Sequence, residues 1–134
     1  AMQLAINEAG IALEQVDYIN THGTSTPIGD VAEVKAIQDV FGEHAYHINL
    51  TSSKSMTGHI LGGTGAVEAI ISILSMQHGV VTPTINHEEG DEDPNIDYKL
   101  NFTFNQAQQR DIRYAMSNNF GFGGHNACLL FKRI

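Results

Sequence analysis

The sequence holds one cysteine, Cys128, and only seven lysines and arginines against fifteen aspartates and glutamates. A single thiol cannot close an internal disulfide, which fits a reducing, cytoplasmic setting. The formal charge of −8 argues against a nucleic-acid partner, which would require a basic face to displace counterions. The N-terminus has no basic-then-apolar signal pattern. No apolar run is long enough to cross a membrane, because the stretch after Ala69 is broken by Gln77, His78, Gly79 and Pro83. Internal repeats and low-complexity tracts are absent too. What is there is 134 residues, 42% hydrophobic and 16% charged, the profile of one folded domain. Much of the acidity is local, in Glu88, Glu89, Asp91, Glu92 and Asp93. Such a run reads as a solvated loop, or alternatively as a cation or partner site.

Periodicity predicts an α/β chain. Met2 to Ala9 has helical spacing and stops at Gly10. Val16 to Ile19 reads as a strand opening onto the loop from Asn20 to Thr26. Pro27 then starts a helix with Val31, Val34, Ile37 and Val40 on one face and Asp30, Glu33 and Lys35 elsewhere. Ile48 to Leu50 is a second strand. Ile60 to Gln77 is a helix with Leu61, Val67, Ile70, Ile71, Ile73, Leu74 and Met76 on nearly every face, which predicts burial on all sides. Its glycines Gly62, Gly63 and Gly65 are expected to admit another backbone. Tyr98 to Phe104 alternates as a third strand, and Arg113 to Asn118 and Ala127 to Lys132 complete a mixed sheet of about five.

Reactive side chains cluster at three strand-to-loop junctions. His22 stands in Thr-His-Gly-Thr-Ser-Thr, where it is either a hydrogen-bonded structural residue or a catalytic one. Lys54 and His59 follow the second strand. A lysine near a helix start opposes the helix dipole, so it calls for a carboxylate or a substrate. Glu68 is the one formally charged residue of the Ile60–Gln77 segment. A buried carboxylate needs a cation or several donors, and Lys54 is the nearest cation in sequence. Their pair is structural, catalytic or both. The third junction, Ser117 to Gly124, sets glycines around Phe120 and Phe122. It reads as backbone N–H groups offered to an oxyanion beside an aromatic wall, or as a plain turn. Cys128 reads as packing. His44 and His47 alone are a weak zinc signal, and neither a P-loop nor a dinucleotide fingerprint is complete.

Three motifs taken together, Asn20-Thr21-His22-Gly23-Thr24-Ser25-Thr26-Pro27-Ile28-Gly29-Asp30, Ser53-Lys54-Ser55-Met56-Thr57-Gly58-His59 and Asn119-Phe120-Gly121-Phe122-Gly123-Gly124, resemble the elongating β-ketoacyl-acyl-carrier-protein synthases of bacterial fatty-acid synthesis, over essentially the whole chain. The resemblance implies the C-terminal half of a thiolase-like layered fold across residues 1–134, and a cytoplasmic acyltransferase whose cysteine nucleophile lies in an N-terminal half outside this sequence. This chain alone is then expected to be inactive.

It also implies roles. His22 and His59 stabilise the enolate formed when malonyl-acyl-carrier-protein loses carbon dioxide. Lys54 supports them, and Glu68 organises Lys54. Thr24 and Thr26 bind the phosphopantetheine arm carried by the substrate, with Gly121 and Gly123 in the neighbouring substrate-binding loop. Phe122 gates the site and completes the oxyanion hole, alongside Phe120. Asn20, Glu68, Ser117 and Asn118 match a monovalent-cation (Na or K) site of some members, with no other cofactor required. Acyl carrier protein, the N-terminal half and a second full-length copy are the implied partners. His59 marks the Cys-His-His elongating type, and Ser25 departs from the usual polyketide-synthase motif. His125 stands where most relatives have threonine. A non-catalytic fragment, a chain-length-factor-like subunit and a thiolase-type enzyme are the alternatives.

Overall fold

The computed structural model describes residues 1–134. Helix α1 (Met2–Ala9) ends at Gly10 as its spacing requires. A short 3₁₀ turn then leads into β1 (Tyr18–Asn20). Helix α2 (Pro27–Phe41) begins on its proline, where the missing N–H costs nothing. It is followed by β2 (Asn49–Thr51), the one-turn α3 (Lys54–Thr57), a 3₁₀ turn at Leu61–Gly63 and α4 (Thr64–His78). The chain closes with β3 (Val80–Val81), β4 (Gln108–Gln109), β5 (Tyr114–Gly121) and β6 (His125–Lys132). No helix is long and apolar enough to cross a membrane.

The main sheet is mixed, in the order β2-β1-β5-β6. Strand β1 lies parallel to both β2 and β5, with Asn20 beside Thr51 on one side and Ser117 on the other. Strands β5 and β6 form an antiparallel hairpin. Alternation sends successive side chains to opposite faces. Ile19, Leu50 and Met116 meet Met2, Ile6, Val34, Ile37 and Phe41 in a core beneath α1 and α2. Tyr18 and Ala115 face the other way, toward Met76, Val81 and Ile112. Each fully buried Ile or Leu contributes about 1.5–3 kcal/mol, so the α1–α2 side carries most of the stability.

The sheet has four strands, not five. Strands β3 and β4 form a separate ribbon, which the sequence did not announce. The alternating segment Tyr98–Phe104 is not a strand; its only ladder contacts are isolated bridges at Asn101 and Phe104. Its aromatics stack on one another and on His87 instead, with the His87 and Phe104 rings 3.9 Å apart. The spacing of alternate aromatics serves a surface stack here, not a pleat.

Helix α4 departs further. Its buried residues are Thr64, Glu68, Ser72, Ser75 and Met76, a stripe that is polar but for Met76. Ile70, Ile73 and Leu74 point outward, together with Ile60 and Leu61. Burial on all sides is therefore not met within this chain: the sheet covers one side only, and that side takes the polar residues. Gly62 and Gly63 meet no neighbouring backbone, and a Cβ added at Gly65 would meet the Asn119 side chain at 3.5 Å. The acidic stretch at 88–93 is a largely exposed loop, with His87 3.6 Å from Glu92.

Candidate active site

Parallel neighbours end on the same sheet edge, and ligands of open α/β sheets gather beyond the carboxyl ends of their strands. Strand β1 runs into His22 and β2 into Lys54 and His59. Their tips therefore converge, although the residues lie far apart in sequence. The His22 and His59 rings sit edge to face with centroids 5.6 Å apart. Phe120, from the end of β5, closes on His22 at 5.4 Å. Lys54 is buried and its ammonium donates to Glu68 Oε1 at 2.5 Å. The inward polar stripe of α4 is what delivers that carboxylate beneath the histidines.

The neighbours of His59 set its tautomer. The Leu61 backbone N–H donates to His59 Nδ1 at 3.0 Å, with Thr64 Oγ1 3.2 Å from the same nitrogen. An accepting Nδ1 leaves the proton on Nε2, so the ring offers an N–H donor at its other end. Leu61 reaches this position with a left-handed φ of 53°, strain of the kind that collects at functional sites. His22 is half-buried and its Nδ1 finds no partner. Burial, then the Lys54 charge, then His59 lower its pKa to about 4. The imidazole is thus neutral at pH 7 and able to donate without carrying charge.

The His22 loop is held by a residue that sequence reading had placed on the polar side of α2. Glu33 is 4% exposed. Its Oε1 accepts the His22 N–H and its Oε2 the Gly23 N–H, both at 2.9 Å. Asn118 Nδ2 donates to Oε1 at 3.1 Å. Burial raises the carboxyl's pKa, and the two backbone donors oppose that rise. The signal was present: Glu33, Ile37 and Phe41 lie at i, i+4 and i+8, one buried stripe.

The remaining candidates divide. Thr24 and Thr26 sit with their hydroxyls 3.3 Å apart on the wall of a cleft of about 540 Å³ that also includes Asp30 and Lys54. His22 and His59 do not line it; His59 is exposed and His22 half-buried. Phe122 is 99% exposed at the tip of the β5–β6 hairpin and makes no ring contact with His22. Gly123 and Gly124 take φ of 78° and 83° in that turn, and His125 Nδ1 bonds the Phe122 carbonyl at 2.9 Å. Gly121 is the last residue of β5. Cys128 packs beside the main core, and burial pushes its thiol up to about 11. His44 is engaged by the Val16 carbonyl at 2.9 Å, and no group of three or more His, Cys, Asp or Glu could hold a metal.

Of the four residues matched to a cation site, Asn20, Glu68 and Ser117 share the α4 face, whereas the Asn118 side chain crosses to Glu33 on the other. Glu68 Oε2, Ser117 Oγ and Asn118 Oδ1 are buried without partners. Unsatisfied oxygens of this kind suit a hard monovalent ion.

Comparison with known proteins assigns the family. Residues 1–88 match the family model for the β-ketoacyl synthase C-terminal domain. Among curated proteins, the chain is 54% identical over 134 residues to the 3-oxoacyl-[acyl-carrier-protein] synthase 2 of Staphylococcus aureus (strain COL), covering 100% of this chain and 31% of that protein. It is 48% identical over 133 residues to the protein of the same name from Coxiella burnetii, covering 99% of this chain and 31% of that one. Among solved structures, a β-ketoacyl synthase from Burkholderia phymatum superimposes with a TM-score of 0.90 at 41% identity, over 99% of this chain and 31% of its own. A type II polyketide ketosynthase, solved with its acyl-carrier protein and bound to the hexaketide, gives 0.93 at 34%, over 99% and 32%. The chain spans about a third of the curated relatives it matches. With its paired histidines, buried Lys54–Glu68 pair and matching fold, the chain belongs to the β-ketoacyl synthase family, whose C-terminal domain it carries.

Proposed function

We propose that this chain is the malonyl-decarboxylating half of an elongating β-ketoacyl-acyl-carrier-protein synthase. The observation that carries the reading is the edge-to-face pair His22 and His59, with Lys54 buried beside it. In the reaction, the C–C bond to the malonyl carboxylate breaks and carbon dioxide leaves. The electron pair delocalises onto the thioester oxygen as an enolate. The enolate carbon then attacks an acyl thioester held on a cysteine outside this sequence and expels the thiolate. Two imidazole N–H donors aimed at the oxygen where charge develops stabilise the transition state more than the ground state. Neutrality suits His22 to donating, and the Leu61 and Thr64 contacts suit His59 Nε2.

Thr24 and Thr26 are assigned to the phosphopantetheine arm of acyl carrier protein. Phe120 and Phe122, with the backbone of Gly121 and Gly123, are assigned to the acyl-thioester side, where Phe122 must turn inward from its exposed position. Of Asn20, Glu68, Ser117 and Asn118, the three on the α4 face, Asn20, Glu68 and Ser117, would hold a monovalent cation, which would supply fixed positive charge near Lys54, while the Asn118 side chain is turned to Glu33. The outward apolar face of α4 is assigned to the other half of the enzyme, and the whole to a cytoplasmic homodimer.

The test is decarboxylation of malonyl-acyl-carrier-protein by the full-length enzyme. His22→Ala and His59→Ala should each lower the rate about 100-fold or more, the usual cost of losing an oxyanion donor, while acylation of the cysteine persists. Wild-type decarboxylation in either variant would refute the assignment.

A further inference from the structure

Ser52 joins three elements with three polar groups. Its Oγ donates to the Gly23 carbonyl at 2.6 Å, on the His22 loop. Its backbone N–H donates to Thr84 Oγ1 at 2.9 Å, where the chain returns after β3. Its carbonyl accepts from Ser55 Oγ at 3.0 Å, within the Lys54 turn. The hydroxyl bond is the only one of the three that reaches the His22 loop.

Gly23 shows how close the approach is. A Cβ there would lie 2.7 Å from Ser52 Cβ and 2.9 Å from Ser52 Oγ. The Gly23 peptide is thus gripped twice: Glu33 takes its N–H and Ser52 its C=O. Glu33 acts from α2, across the sheet from the Lys54 turn. It fixes the His22 loop to the scaffold but not to the second histidine. Ser52 lies two residues before Lys54, on the segment that continues to His59, so its hydroxyl ties one histidine-bearing loop directly to the other.

We infer that Ser52 is a positioning residue that holds the His22 loop in register with the Lys54–His59 segment, so that both imidazoles address one oxygen. The inference rests on the reading of the histidines proposed above. Catalytic groups displaced by a fraction of an ångström lose much of their effect. Loss of the hydroxyl should therefore appear in decarboxylation and spare acyl transfer to the cysteine.

In the full-length enzyme, Ser52→Ala should acylate normally and melt only slightly below the wild-type temperature, but decarboxylate malonyl-acyl-carrier-protein about tenfold more slowly. Ser52→Thr, which keeps the hydroxyl, should restore the rate. A readout independent of activity is amide hydrogen exchange. In Ser52→Ala the His22 and Gly23 amides, which Glu33 holds at 2.9 Å, should exchange faster, while the amides of the β5–β6 pair keep their wild-type protection. Wild-type decarboxylation and exchange in Ser52→Ala would overturn the inference. So would equal loss of both half-reactions, or failure to fold, since either assigns Ser52 to general stability. A wild-type enzyme that does not decarboxylate malonyl-acyl-carrier-protein refutes the parent reading instead, and the amide exchange still decides whether Ser52 couples the loops.

Discussion

Lys54 and Glu68 stand fourteen residues apart in sequence and meet at 2.5 Å, both side chains almost fully removed from water. The lysine comes from the first turn after β2 and the carboxylate from the inward stripe of α4. Their contact therefore ties α4 to the turn that follows β2. Desolvating two charges is expensive, and a pair in such a place is held for what it positions more than for net stability.

Removing one partner should accordingly cost more than removing both. Lys54→Met leaves the Glu68 charge uncompensated and should destabilise the enzyme by about 3 kcal/mol or more. Adding Glu68→Leu should recover most of that loss without restoring decarboxylation. Urea midpoints of the single and double variants are the measurement, and a double variant no more stable than Lys54→Met would contradict this account of the pair.

Glu33 supports the site by accepting backbone N–H groups. Glu33→Ala strands the donors of His22, Gly23 and Asn118, each worth about 1–3 kcal/mol when left buried and unmet. We expect loss of at least about 2 kcal/mol and faster amide exchange at His22 and Gly23. Glu33→Gln keeps one carbonyl acceptor and should fall between wild type and Ala.

The acid limb of activity should report an unusual histidine. His22 titrates near 4 in the folded protein, against about 6.5 for a free imidazole. Between those values the unfolded chain takes up a proton that the folded chain refuses. This histidine therefore withdraws stability as the pH falls from about 6.5 to 4, and contributes no change above that window. Glu33, whose carboxyl is raised by burial, acts with the opposite sign: its contribution is greatest below the ordinary glutamate range and declines as the pH rises through its folded value. A His22 resonance with a midpoint near 6.5 would match the unfolded value and remove the pH-dependent loss of stability.

Legibility of the chain tracks whether a feature depends on local or assembled environment. Gly10 and Pro27 bound their helices as expected because caps act over one turn. His22, Lys54, His59 and Glu68 were found as motifs, and parallel strand pairing brings them to one edge. Glu33 was missed because a charged residue was assigned to solvent by type, although its spacing with Ile37 and Phe41 marked the buried face. Helix α4 was legible only in part: its composition announced an apolar surface that this half leaves exposed, but not that the polar stripe of Thr64, Glu68, Ser72 and Ser75 would be the side packed on the sheet. The aromatic alternation at 98–104 matched strand spacing, yet Tyr98, Phe102 and Phe104 stack beside His87.

That apolar side of α4 predicts how the chain behaves alone. Ile60, Leu61, Ile70, Ile73 and Leu74 are all exposed, on and next to a helix whose opposite stripe is packed. Contiguous apolar surface of this kind drives association. The 134-residue chain should self-associate in light scattering, and Ile70→Lys with Leu74→Lys should shift it toward a monomer. A monodisperse wild-type monomer would show that this face tolerates water.

The buried oxygens without partners give the last expectation. Glu68 Oε2, Ser117 Oγ and Asn118 Oδ1 lie around the central strands, and leaving such groups unmet costs about 1–3 kcal/mol each. A monovalent ion on the α4 face would satisfy Glu68 Oε2 and Ser117 Oγ and bind only the folded state, so it should raise the melting temperature by mass action. Potassium or sodium chloride is compared with choline chloride at equal ionic strength, which holds screening constant. A higher melting temperature in the alkali salts, reduced by Ser117→Ala, is expected. Equal curves in all three salts would exclude the ion and leave ordered water as the partner of these oxygens.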